Sequence, residues 1–98
     1  MDRRPFIAVY MMTNRKLGTL YIGVTSHLIA RVGQHREGAV EGFSQRHGRK
    51  RLVWFEQHQT IAGAIQREKS LKKYKRDWKI NLIERTNPEW NDPFLKFF

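Results

Sequence analysis

Two short runs of β-forming residues with a turn between them constrain this chain most. Residues Phe6 to Met12 read Phe-Ile-Ala-Val-Tyr-Met-Met, and Thr19 to Val24 read Thr-Leu-Tyr-Ile-Gly-Val. Between them, Asn14-Arg15-Lys16-Leu17-Gly18 is expected to turn, with Asn and Gly supplying the permissive backbone positions. So short a connection makes the two runs an antiparallel hairpin.

The remaining elements follow from caps and breakers. Ser26 is a suitable N-cap and Gly38 a suitable stop, which predicts a first helix over residues 27–37. Gly38 to Lys50 is glycine-punctuated and basic, and reads as a loop with some helical turn. Arg51 to Glu56 is a third strand. Thr60 can cap a second helix from about Ile61 to Tyr74. Asp77 can cap a third from Trp78 to Arg85, ended by Asn87-Pro88. The apolar tail, Trp90 to Phe98, is expected to pack back on the core, with a dimer contact as the alternative. The order strand, strand, helix, strand, helix, helix predicts an α+β fold: a small three-stranded antiparallel sheet flanked by helices, in a single domain over residues 1–98.

Charge then narrows the partner. Nineteen Lys and Arg stand against nine Asp and Glu, a formal net charge of +10. Such a field favours phosphate polyanions or anionic membranes. Twelve aromatics in 98 residues argue for a folded domain rather than a basic disordered tail. No helix pairs a basic face with a strongly apolar one, so a membrane surface is disfavoured. The run Ile7 to Met12 is too short to span a bilayer and has no small-residue cleavage site. The absence of cysteine excludes disulfides and thiolate metal sites and fits a cytoplasmic location. Nucleic acid is the expected partner.

Strand parity places the candidate chemistry. Side chains alternate across a strand, so Ile7, Val9 and Met11 share one face with Leu20, Ile22 and Val24, and Tyr10 and Tyr21 share the other. Ala8 and Gly23 are two positions from a tyrosine each, which leaves open space beside the phenols. On the hairpin alone, ordinary cross-strand packing is the better account of both tyrosines. Polar intrusions on two helices shift that balance. Leu28 and Val32 define the inward stripe of the first helix, and Arg31 and His35 fall on or beside it. On the second helix Ile61, Ala64, Ile65 and Leu71 define the stripe, and Glu68 falls inside it. A lone carboxylate there needs a partner. A salt bridge to Arg31 or a helix lysine, and a magnesium ion, are equally good accounts of it.

Together these residues resemble the signature of the GIY-YIG nuclease superfamily: Ala8-Val9-Tyr10, ten intervening residues, then Tyr21-Ile22-Gly23, with Arg31 eight positions after Gly23, His35 one turn later and Glu68 in a later helix. The resemblance spans essentially the whole chain. It is greatest to small single-domain bacterial members similar to the nuclease domain of the excision-repair incision subunit. The most specific stretches are Gly18-Thr19-Leu20-Tyr21-Ile22-Gly23-Val24-Thr25 and Arg67-Glu68-Lys69-Ser70-Leu71-Lys72-Lys73. It implies Tyr10 as general base or proton relay, Tyr21 as the group that positions water or phosphate, and Arg31 as the phosphate clamp. It further implies His35 as acceptor for Tyr10 and Glu68 as ligand of a single Mg2+ or Mn2+ ion. Two positions depart from the family's pattern. Ala8 stands where glycine is usual, and Val24 stands where many members carry a lysine, so activation of Tyr10 falls to His35. Asn81 is the candidate for the late asparagine that contributes in some members.

The basic residues form two clusters. Arg46, Arg49, Lys50 and Arg51 precede the third strand, and Lys69, Lys72 and Lys73 surround Glu68. Charges so nearly of one sign repel one another, so phosphate-backbone contact is their expected use. The expected function is a metal-dependent endonuclease hydrolysing DNA phosphodiester bonds, structure-selective or weakly sequence-selective, in DNA repair or recombination. RNA remains open beside DNA, and sequence-specific cutting would need a homodimer or a repair-complex partner. The rival readings are a non-catalytic nucleic-acid-binding module and an interaction subunit of a repair complex, both retaining the fold.

Overall fold

The computed structural model describes residues 5–36 and 51–92. Three strands, β1 (Ala8–Thr13), β2 (Leu20–Thr25) and β3 (Arg51–Gln57), form one sheet in the order β2-β1-β3. Both pairings are antiparallel. Helix α1 (Leu28–Arg36) follows β2, and α2 (Ile61–Lys72) and α3 (Arg76–Thr86) follow β3. This is the expected α+β order.

The central strand explains why the sheet needs cover on both sides. Every residue of β1 is buried. Val9 and Met11 join Ile22, Val53 and Trp54 beneath Ala64 and Leu71 of α2, Ile83 of α3, and Trp90. On the opposite face Ala8, Tyr10 and Met12 pack with Leu52 against Leu28 and Val32 of α1. Each of the larger aliphatic side chains among them contributes about 1.5–3 kcal/mol by leaving water, so the hairpin is held by two hydrophobic layers rather than by its turn.

The turn itself departs from expectation. Gly18 N–H donates to the Arg15 carbonyl at 2.9 Å, and the positive backbone angle falls on Leu17, with φ of 58°, rather than on Asn14 or Gly18. Gly18 is required for a different reason. A Cβ there would collide with the Asn14 side chain and lie 2.9 Å from the Arg15 carbonyl. The turn is secured from outside, because Arg76 Nη2 donates to the Leu17 carbonyl at 2.6 Å and the Gly18 carbonyl at 2.9 Å.

Helix starts were only partly readable. Thr60 caps α2 as expected, its hydroxyl accepting from Gly63 N–H at 3.1 Å. Ser26 does not cap α1. Its hydroxyl bonds His27 Nδ1, while His27 N–H goes to Thr25 Oγ1 and Leu28 N–H to the Phe6 carbonyl. The neighbouring chain does the capping. Helix α3 begins at Arg76, so Asp77 lies in its first turn rather than at its cap, where its carboxylate still favours the helix dipole. The phase of α2 also differs. Ala64 and Leu71 are buried, but Ile61 and Ile65 are each 39% exposed, so the inward line runs through 64, 68 and 71.

The tail packs back as far as it is described. Trp90 is fully buried and donates from Nε1 to Glu84 at 2.8 Å. Asn87 Nδ2 donates to the Val53 carbonyl, and Asp92 accepts from Leu52 N–H. These side chains cover backbone groups of β3, an edge strand that would otherwise invite pairing. The rest of the tail and the basic loop lie outside the described residues.

Candidate active site

Register brings the tyrosines together. Tyr10 pairs with Gly23 and Met12 with Tyr21, so the two phenols are diagonal neighbours on one face, their ring centroids 6.2 Å apart. His35, in the last turn of α1, lies over both rings at 5.7 Å from Tyr10 and 5.2 Å from Tyr21. Gly23 makes this possible. A Cβ at that position would sit 2.6 Å from the Tyr10 hydroxyl and 2.7 Å from Cζ. The space beside the phenols is therefore not open, as the sequence implied, but filled by the Tyr10 ring lying against the Gly23 backbone. An isolated glycine inside a strand is the general signal for such a close approach.

The Tyr10 hydroxyl and His35 Nε2 are 3.0 Å apart, and both side chains are buried. Burial and the Arg31 guanidinium lower the His35 pKa from 6.5 to about 4. At neutral pH the imidazole is therefore uncharged, and the tautomer with its proton on Nδ1 presents the Nε2 lone pair to the Tyr10 hydroxyl. Tyr10 is itself held well above the ordinary phenol range, first by burial and then by the neighbouring Tyr21, with Arg31 pulling the other way. The pair is a neutral phenol beside a neutral imidazole rather than a phenolate beside an imidazolium.

Arg31 and Glu68 reach the same point by their fields. Arg31 is half-buried one turn before His35, and its charge acts on both His35 and Tyr10. Glu68 also acts on Tyr10, with its side chain 20% exposed and its carboxylate 3.6 Å from Lys72 Nζ. Of the two salt-bridge partners considered from sequence, a helix lysine is the one observed. Helix α2 lies along β2 as well as β1, and this brings Glu68 to the edge of the tyrosine cluster. It is held there by Arg67, which donates to Glu56 at 3.1 Å and to the Tyr74 hydroxyl at 3.5 Å. Sequence reasoning overlooked this tie to β3, although a second charged residue beside Glu68 on a partly buried helix face was its available signal.

The donor set bears on a metal. Among the described residues no group of three His, Cys, Asp or Glu side chains could enclose an ion. A closed zinc-type site therefore does not fit. A single half-buried carboxylate does fit Mg2+, which keeps several waters and completes its shell with substrate phosphate. Asn81 is exposed on α3. Lys69 and Lys73 are exposed, Lys72 faces Glu68, and Arg51 Nη1 donates to the Trp90 carbonyl at 3.3 Å. Arg46, Arg49 and Lys50 lie outside the described residues.

The chain and its fold are similar to known proteins. The solution structure of the UPF0213 protein BH0048 from Bacillus halodurans is similar with a TM-score of 0.54 and 26% identity, over 91% of this chain and 95% of that one. No curated protein matches the chain. The family model of the GIY-YIG catalytic domain matches residues 6–81, a span that holds both tyrosine motifs, Arg31, His35 and Glu68, and the chain belongs to the GIY-YIG family.

Proposed function

We propose that this chain is a divalent-metal-dependent endonuclease that hydrolyses DNA phosphodiester bonds, serving repair or recombination in the cytoplasm. The observation that carries the reading is the buried 3.0 Å contact between the Tyr10 hydroxyl and His35 Nε2. It supplies a proton path. Water adds to phosphorus as its proton passes to the Tyr10 oxygen and the Tyr10 proton passes to His35 Nε2. Tyr10 regains a proton as it gives one up and need never be a free phenolate, which suits a phenol that ionises poorly, and His35 ends the transfer as an imidazolium whose charge the scissile phosphate offsets. The bond from phosphorus to the leaving oxygen breaks, that oxygen takes a proton from solvent water, and His35 later returns its proton to solvent.

The other side chains have matching tasks. Arg31 holds the scissile phosphate and offsets its growing charge. The phosphate in turn masks the cation that now depresses His35, so the imidazole becomes a better proton acceptor once substrate is bound. Tyr21 orients the water or a phosphate oxygen. Glu68 would hold Mg2+ or Mn2+, which supplies Lewis-acid stabilisation of the phosphoryl oxygens; Lys72 must then release the carboxylate. Exposed Lys69 and Lys73 contact the backbone without reading sequence.

The test is cleavage of supercoiled, branched and single-stranded DNA with Mg2+ present. Wild type is expected to cut at least one, and Glu68→Gln to cut at least a hundredfold more slowly while still binding. Equal rates for the two proteins would overturn the role of Glu68. Salt-sensitive binding without cleavage of any substrate would make the chain a nucleic-acid-binding module that keeps the nuclease fold.

A further inference from the structure

Trp78 is 55% exposed, the most exposed large hydrophobic side chain among the described residues. It is not loosely placed. Its ring meets Tyr74 edge-on, with centroids 5.5 Å apart and planes at 83°, and Tyr74 in turn packs against the main core. The indole is thus fixed at the start of α3 with much of its surface in water. The charges around it are mostly of one sign. Lys73 and Lys75 are exposed, and Lys79 is half-buried one residue on. None of the three forms an ion pair among the described residues. Asp77 is the acidic neighbour, and Arg76 is committed to the hairpin turn.

We propose that Trp78 is a stacking platform for an unpaired base of single-stranded or locally opened DNA, with Lys73, Lys75 and Lys79 holding the flanking phosphates. A fixed aromatic plane beside cations that form no ion pair among the described residues meets both requirements of a single strand, a π-face for the base and positive charge for the backbone. A paired duplex keeps its bases stacked on one another and offers the indole no such face. The surface lies next to the end of α2, ten positions along the chain from Glu68. The inference rests on the nucleic-acid reading above but not on catalysis.

The fluorescence of the protein isolates this residue. Trp54 is 7% exposed and Trp90 is fully buried, so contact with a base should quench chiefly Trp78. The full chain is titrated in EDTA with oligothymidylate and with a blunt duplex of equal length. Oligothymidylate should quench the emission more strongly than duplex. Trp78→Ala should lose the quenching and bind oligothymidylate roughly ten- to a hundredfold more weakly, with duplex affinity little changed. Trp78→Phe should retain most of the affinity. Equal binding of both DNAs by wild type and Trp78→Ala would overturn the proposal. So would a Trp78→Ala protein that only converts a dimer to a monomer, which would assign the surface to a second copy. Quenching without cleavage in Mg2+ leaves the platform standing and removes the nuclease. Cleavage by both proteins, with oligothymidylate affinity unchanged by Trp78→Ala, removes the platform and leaves the nuclease standing.

Discussion

Replacing His35 with glutamine removes a buried group whose titration is shifted by burial and by Arg31, and its effect on stability can be worked out in sign and size. His35 is fully buried, and burial and Arg31 lower its pKa from 6.5 to about 4. Between those two values the unfolded chain binds the proton that the folded chain refuses. Stability from this group is therefore present above pH ~6.5 and lost as pH falls toward about 4. The displacement corresponds to about 3 kcal/mol between pH 7 and pH 4, a large share of the about 5–15 kcal/mol that holds a typical domain. The assay is urea unfolding of wild type and His35→Gln across that range. Glutamine can still hydrogen-bond Tyr10 but cannot titrate, and the groups common to both proteins cancel in the difference. Wild type should therefore lose about 3 kcal/mol relative to His35→Gln between pH 7 and pH 4, whatever their offset at neutrality. Parallel curves would refute the claim that a neutral imidazole is locked beneath the tyrosines. The same displacement bears on activity. The acid limb of kcat/KM, which reports the free enzyme, should lie near pH ~4, with that of kcat higher because bound phosphate masks Arg31.

Two further substitutions test the scaffold of the site. Gly23→Ala places a methyl group 2.6 Å from the Tyr10 hydroxyl and should cost about 1–3 kcal/mol in chemical denaturation, with cleavage impaired even where the chain folds; an unchanged midpoint would show that Tyr10 has room to move. Leu17→Gly relieves a positive φ that costs an L-residue about 1–2 kcal/mol. Since Arg76 bonds the Leu17 and Gly18 backbone carbonyls, it should raise stability by up to about 1 kcal/mol after the added flexibility of glycine. A clear loss of stability would mean that the Leu17 side chain does more than its exposure indicates.

Local chemistry explains which features could be read in advance. Strand alternation put Tyr10 and Tyr21 on one face because the period of two leaves no choice once Val9, Met11 and Ile22 are assigned to the core. Thr60 capped α2 because its hydroxyl needs only the N–H three residues on. Glu68 was placed on the inward stripe by its spacing from Ile65 and Leu71, and of these two only Leu71 is buried. Identifying the family needed more than these rules, because aromatics on a sheet face and a charge on a helix each have ordinary structural explanations.

The tertiary structure decided what depends on distant partners. Ser26 was displaced as a cap because Phe6 and Thr25 supply the acceptors for the start of α1. The apolar pattern of α2 allowed more than one phase, and packing against the sheet buried Ala64 and Leu71 while leaving Ile61 and Ile65 in water. The gap expected beside Gly23 was filled by a ring from the neighbouring strand, since only pairing register determines what lies opposite a glycine. The protonation of His35 was decided last and by the whole fold. A histidine's spacing on a helix shows where it points, but its charge depends on how much water and which cations surround it. Sequence alone therefore determined the sheet face and the residues that line it; tertiary burial beside Arg31 decided that Tyr10 meets a neutral imidazole there.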